Sequence, residues 1–185
     1  MREGSILISH FNPLIMNHIN RKQFLKTLGL GSVLMGSNSL IARPFFQEDP
    51  QLDRNLVKEF VGAGHGKMER VKEMLAEHPT LLNSAHDWKH GDFETALGAA
   101  SHVGNKEIAQ WLIDKGAQAN IFTAALFGKM DILKPLLEFF PQSLHAKGPH
   151  GYTLLHHAVK GGEDALEVKE YLESLGLKET RIPLY

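Results

Sequence analysis

The 185-residue chain contains no cysteine. Disulfides, thiolate metal sites, a cysteine nucleophile and a lipidated N-terminal cysteine are thereby excluded. An excess of either charge is also missing. Twenty lysines and arginines face 21 aspartates and glutamates, a formal net charge of −1, which argues against a nucleic-acid binder. No run is long and apolar enough for a comfortable membrane span; the nearest, residues 27–42, is short and rich in glycine. The chain has no Gly-x-x-x-x-Gly-Lys-Ser/Thr phosphate loop, no strand leading into Gly-x-Gly-x-x-Gly, no Gly-x-Ser-x-Gly and no His-Glu-x-x-His. What remains is 43% hydrophobic and 22% charged with a mean hydropathy of −0.20, the composition of a soluble globular chain.

Charge is unevenly distributed. Residues 1–45 hold Arg2, Arg21, Lys22, Lys26 and Arg43 against Glu3 alone, a net of +4, which leaves −5 for the remainder. Basic residues at 21–26 precede an apolar, glycine- and serine-rich stretch with small residues at its end, the layout of a signal peptide. Asn20-Arg21-Lys22-Gln23-Phe24-Leu25-Lys26 resembles the twin-arginine export motif, with Lys22 in place of the second arginine. That departure keeps the general secretory route open. Ser37-Asn38-Ser39 suits a small-x-small cleavage site, with cleavage after Ala42 as the second choice, and Met16 is a candidate start. The alternative is an amphipathic N-terminal helix that stays with the fold. The expected division is residues 1–45 as an export signal and 46–185 as the folded domain, placing the protein in the periplasm or otherwise outside a bacterial cytoplasm.

Beyond residue 45 the chain repeats itself. Gly66-Lys67-Met68-Glu69-Arg70-Val71, Gly104-Asn105-Lys106-Glu107-Ile108-Ala109 and Gly128-Lys129-Met130-Asp131-Ile132-Leu133 align on a glycine. Each places an acid three positions later, in a first helical turn whose dipole favours it, and each continues with apolar residues at helical spacing. A fourth block runs from Gly151-Tyr152-Thr153-Leu154-Leu155-His156 through Gly162 to Gly176. These blocks resemble ankyrin repeats: Thr153-Leu154-Leu155-His156 stands for the family's Thr-Pro-Leu-His, Thr95 to Ala100 is a second copy, and Asp114 to Asn120 matches the helix end and following turn. The resemblance covers about residues 50 to 177. It implies an all-α solenoid of about four helix-turn-helix repeats with short hairpin or loop fingers, stabilised by contacts between neighbouring repeats.

The marker glycines at 66, 104, 128 and 162 are 38, 24 and 34 residues apart, against a family period of about 33. The long interval predicts a long first finger around His86 to Phe93. The short one predicts that the finger after Asn120 is missing. Pro135 is expected in the first turn of its helix, where a missing N–H costs little, or at a kink if the helix begins earlier. Small residues at Gly62-Ala63, Ala99-Ala100, Ala124-Ala125 and Ala158 are expected where inner helices approach. Lys58, Glu59, Lys169, Glu170 and Glu173 are expected on polar outer faces of the end repeats.

Histidine is abundant: 11 in the chain, nine of them beyond residue 45. The resemblance implies that His156 hydrogen-bonds within its repeat. It also implies that His157 faces the concave groove, with His65, His102 and Lys160 at or beside groove positions and Thr123, Leu126 and Phe127 between them. A histidine row suits a divalent metal or an anionic partner surface, although no zinc-type ligand spacing supports a metal. The segment from His86 to Glu94 mixes Trp88 and Phe93 with two histidines and three acids. Its aromatics either anchor a partner or pack back onto the finger. Asp92 and Glu94 also admit a remote glycosidase-like reading. A second finger, Lys147 to Tyr152, is expected to flank with the first the gap left by the missing one.

These features lead to an expectation of a non-enzymatic protein-binding module without cofactor, resident metal or nucleic-acid partner. Trp88, His90, Phe93, His102, Phe127, His150, Tyr152 and His157 form its expected partner surface. The alternative is a small-ligand- or metal-binding accessory protein of the cell envelope.

Overall fold

A computed structural model describes residues 51–185; residues 1–45, expected to be an export signal, lie outside the described residues. Helices come in consecutive pairs: α1 (Arg54–Gly64) with α2 (Met68–Glu77), α3 (Ala96–Val103) with α4 (Lys106–Asp114), α5 (Ile121–Leu126) with α6 (Met130–Phe139), and α7 (Leu154–Gly161) with α8 (Leu166–Ser174). A hairpin of β1 (Ala85–Asp87) and β2 (Phe93–Thr95) stands between the first two pairs, with His86 opposite Glu94.

Local chemistry sets most of these boundaries. Side chains of Asp53, Thr95, Asn105, Asn120 and Thr153 cap the N-termini of α1, α3, α4, α5 and α7 by accepting backbone N–H groups. At the end of α3, Gly104 adopts φ +84° and its N–H bonds Ser101 O, while Asn105 N–H bonds Ala100 O. This is the Schellman pattern, and it recurs around Gly116, Gly128 and Gly176. Of the repeated glycines, Gly104 and Gly128 are therefore helix stops.

Inner helices α1, α3, α5 and α7 stack in chain order. Phe60, Val71, Met74, Ile108 and Leu112 build one apolar cluster, and Leu133, Leu137, Leu154, Val168 and Leu172 a second. Close approach of inner helices falls on other glycines than expected. A Cβ on Gly64 would meet Ala96 and one on Gly161 the Leu126 backbone, whereas Gly62 faces open space.

The long first finger is present as the β1–β2 hairpin, and Asn120 leads straight into α5 without a finger. Pro135 departs from expectation: it is the sixth residue of α6, not part of its first turn. The helix passes over it, leaving the Asp131 carbonyl without the N–H it would otherwise accept.

The second and fourth pairs also touch each other. With α5 only six residues long, His156 Nε2–H of α7 donates to His102 O of α3 at 2.8 Å. Lys106 likewise donates to the Gly161 carbonyl and pairs with Asp164 at 2.7 Å. The His156 bond thus runs between repeats rather than within one, and burial lowers its pKa. Exposed Lys58 and Glu59 fit the expected polar end face. At the other end Lys169 pairs with Glu173 at 3.4 Å, but Leu166 and Leu175 of the last pair are also exposed.

Candidate functional site

A strand with one face toward the core normally alternates apolar-in with polar-out. The short β2 inverts this: Phe93 is 61% exposed and Glu94 only 1%. A buried carboxylate requires partners, because desolvation costs several kcal/mol unless hydrogen bonds and opposite charges offset it. Four neighbouring segments supply the partners. Trp88 Nε1–H, from the hairpin turn, donates to Glu94 Oε2 at 2.8 Å. His102 Nε2, from α3, lies 2.9 Å from Oε1, and His65 Nε2, at the end of α1, lies 3.6 Å from Oε2. His150 Nε2, from the second finger, is 3.5 Å from Oε2. Burial pushes the Glu94 carboxyl up, while His102, Trp88 and His65 pull it down by more, so its pKa lies below the usual value.

The second finger is held by Asp92, which is 5% exposed. Its Oδ1 accepts the His150 backbone N–H and its Oδ2 the His150 Nδ1–H, both at 2.8 Å. His150 sits at φ +58°, a left-handed conformation that a non-glycine residue holds only when its surroundings enforce it. The fingers are therefore clasped rather than separated, and the expected gap is reduced to a cavity of about 280 Å³ lined by Phe93, Phe122, Lys147 and Pro149 among others. Residues 180–185 run beside the second finger. Ile182 N–H donates to Gly151 O, Arg181 Nε–H to His150 O and Lys147 Nζ–H to Pro183 O.

Expected site residues thus divide into three groups. Trp88, His102 and His150 come together around Glu94, and the Tyr152 ring stacks on His102 (5.0 Å) and on His156 (4.0 Å). Trp88 packs back onto its own finger, with an edge contact to His86 at 4.7 Å. Exposed Phe93 lies on β2, while exposed His90 lies in the hairpin turn at φ +52°, with its ring 5.2 Å from Tyr185. Phe127 and His157 belong elsewhere. Phe127 packs on the first apolar cluster and lines a depression of about 520 Å³ with Ile113, Ile132 and Leu136.

His157 is 1% exposed and His102 7%, so neither faces an open groove; Thr123 and Leu126 are buried as well. With no finger before α5, Phe122 in its first turn reaches the His157 ring at 5.1 Å. Asp92 and Glu94 are likewise occupied by internal partners. His65 and Glu94 are as central as any residue of the expected surface, and the inverted β2 pattern is the sequence signal for Glu94.

Burial of His157 has a pH consequence. Its Nδ1–H donates to Thr153 O at 2.8 Å, and desolvation lowers its pKa from 6.5 to about 4. The unfolded chain takes up this proton first, so its stability contribution is intact above pH 6.5 and falls as pH drops toward 4. The loss is on the order of 3 kcal/mol, at 1.36 kcal/mol per unit. Urea midpoints in chelator at about pH 7.5 and about pH 4.5 should differ less in His157→Gln than in the wild type. An equal difference would contradict a buried neutral imidazole.

Among the described residues no helix is long and apolar enough to cross a membrane. No curated protein matches the chain. Residues 92–124, from Asp92 through β2, α3 and α4 into α5, match the ankyrin-repeat family, so the segment that supplies Glu94 and His102 is an ankyrin repeat.

Proposed function

We propose that the chain is an exported, non-enzymatic protein-binding module built of four ankyrin-type repeats, and that its partner face is the edge carrying the two fingers. An ankyrin repeat at residues 92–124 suggests protein binding, although fold alone does not dictate function. The observation that carries the reading is Phe93, 61% exposed on a hairpin whose other face is fastened to the core through Glu94. An aromatic side chain presented on a fixed support loses little entropy on binding, which makes it an anchor.

The surroundings indicate what it would meet. Phe122, Pro149 and Leu184 line the cavity beside Phe93. Three cations stand around this edge: Lys147 and Arg181 bond backbone carbonyls, and Lys89 lies 5.3 Å from the Tyr185 ring centroid. A partner segment with an apolar side chain flanked by carboxylates suits this combination. Export rests on the Asn20 to Lys26 motif and the +4 charge of residues 1–45.

Selection from a random peptide library tests the face. Recovered peptides should carry an aromatic or large aliphatic residue among acids. Phe93→Asp should weaken them by about tenfold or more with an unchanged melting temperature. Basic peptides, or equal binding by Phe93→Asp, would remove the finger edge from consideration.

A further inference from the structure

We propose that His65, Glu94, His102 and His150 bind one divalent transition-metal ion, with Zn²⁺ the preferred probe, and that this ion staples the two fingers to the inner helices. Four donor atoms from four separate elements lie within 4.8 Å of one another. Tetrahedral bonds of about 2.0–2.1 Å require ligand atoms about 3.3–3.4 Å apart. His102 Nε2 lies 2.9 Å from Oε1 and 3.1 Å from His65 Nε2, while His150 and His65 Nε2 lie 3.5 and 3.6 Å from Oε2, so the nearer separations fall on either side of that value and a small closure of the wider ones, which stay within 4.8 Å, completes the set.

The outer hydrogen bonds orient the imidazoles for this role. Asp92 and the Gly62 carbonyl can only accept, so His150 and His65 each donate Nδ1–H, at 2.8 and 3.2 Å. In the neutral tautomer that these bonds select, their Nε2 atoms carry the lone pair and face the cluster. A ligating histidine whose other nitrogen is bonded to a carboxylate or carbonyl is the usual arrangement at metal centres. Trp88 Nε1–H holds the carboxylate in place through Oε2.

An independent observation is the orphaned oxygen. Glu94 Oε1 is buried and receives no hydrogen bond, despite lying 2.9 Å from His102 Nε2. Beside it, His65 Nε2 and His102 Nε2 face each other at 3.1 Å. A cation among these atoms would satisfy all of them at once. Three imidazoles and one carboxylate favour Zn²⁺, Co²⁺ or Ni²⁺ over Ca²⁺ or Mg²⁺, which require more oxygen ligands. His65 and His150 side chains, 33% and 24% exposed, provide the entry side.

The test uses the whole chain stripped with chelator and titrated with Zn²⁺, Co²⁺ and Ni²⁺ in turn. At least one should bind at one equivalent and raise the melting temperature by about 5–10 °C in excess metal. Co²⁺, if it binds, should show the visible absorption of a four-coordinate centre. The double variant His65→Ala/His150→Ala alters two partly exposed side chains and should fold while losing about 100-fold or more in affinity. Asp92→Asn, which touches no metal, should lose about 10–100-fold through His150. Absence of binding by all three ions would overturn the site. So would equal affinity in the double variant, which would assign the metal to other histidines.

Discussion

Glu94→Ala is expected to lower the unfolding free energy by about 3 kcal/mol in buffer containing chelator. Glu94 is 1% exposed, so its removal leaves a cavity as well as unpaired groups. The Trp88 indole N–H loses its acceptor, and His65, His102 and His150 lose the carboxylate they share. A buried donor without a partner costs about 1–3 kcal/mol, and the lost packing adds to that. Glu94→Gln keeps the shape and an acceptor for Trp88, so less than half of the effect should remain. Phe93→Ala, next in sequence but exposed, should change stability by no more than about 0.5 kcal/mol. Urea denaturation of the three variants makes the comparison. Equal costs for Glu94→Ala and Phe93→Ala would show that Glu94 does not hold the fingers to the array.

Gly128→Ala should cost about 3 kcal/mol or more. Gly128 has φ +63°, where an L side chain costs about 1–2 kcal/mol. Its Cβ would also strike the Asp164 carbonyl oxygen and lie 3.1 Å from Ala165 Cα. Both obstacles are backbone in the turn between α7 and α8, so neither yields by rotating a side chain, and overpacking adds about 1–3 kcal/mol. Gly62→Ala is the control. It lies inside α1 with nothing within 4 Å of the added carbon, and it should stabilise by about 0.5–1 kcal/mol. A neutral Gly128→Ala would mean that the third and fourth helix pairs do not pack as described.

Much of the architecture is legible because helix ends carry local chemistry. Thr95, Asn105, Asn120 and Thr153 announce starts, and Gly104, Gly116, Gly128 and Gly176 announce stops, each within a few residues of the bonds they make. Interval arithmetic between glycines located the long finger and the missing one for the same reason. Contacts that skip a layer leave no such mark. The His156–His102 bond joins residues 54 apart and depends on α5 being short, which brings α3 and α7 together.

The site was half legible. Trp88, His102, His150 and Tyr152 read as surface residues in the sequence, yet the first three gather around an enclosed carboxylate and Tyr152 stacks on His102. Ligand spacing along the chain carries no signal here, since His65, Glu94, His102 and His150 come from four elements. The buried His157 ring meets Phe122, a contact that alignment to a regular repeat does not contain. The readable clue was Asp92-Phe93-Glu94 itself, with the acids facing inward and phenylalanine outward.

Native mass spectrometry of the protein recovered from its own cell envelope tests the proposed role most directly. The expected result is a chain beginning near residue 40, consistent with cleavage after Ser39 or Ala42, carrying a second polypeptide that is absent when Phe93→Asp replaces the wild type. A chain that retains residues 1–39 and carries no partner, or one whose partner is indifferent to Phe93→Asp, would contradict an exported binding module that works through its fingers.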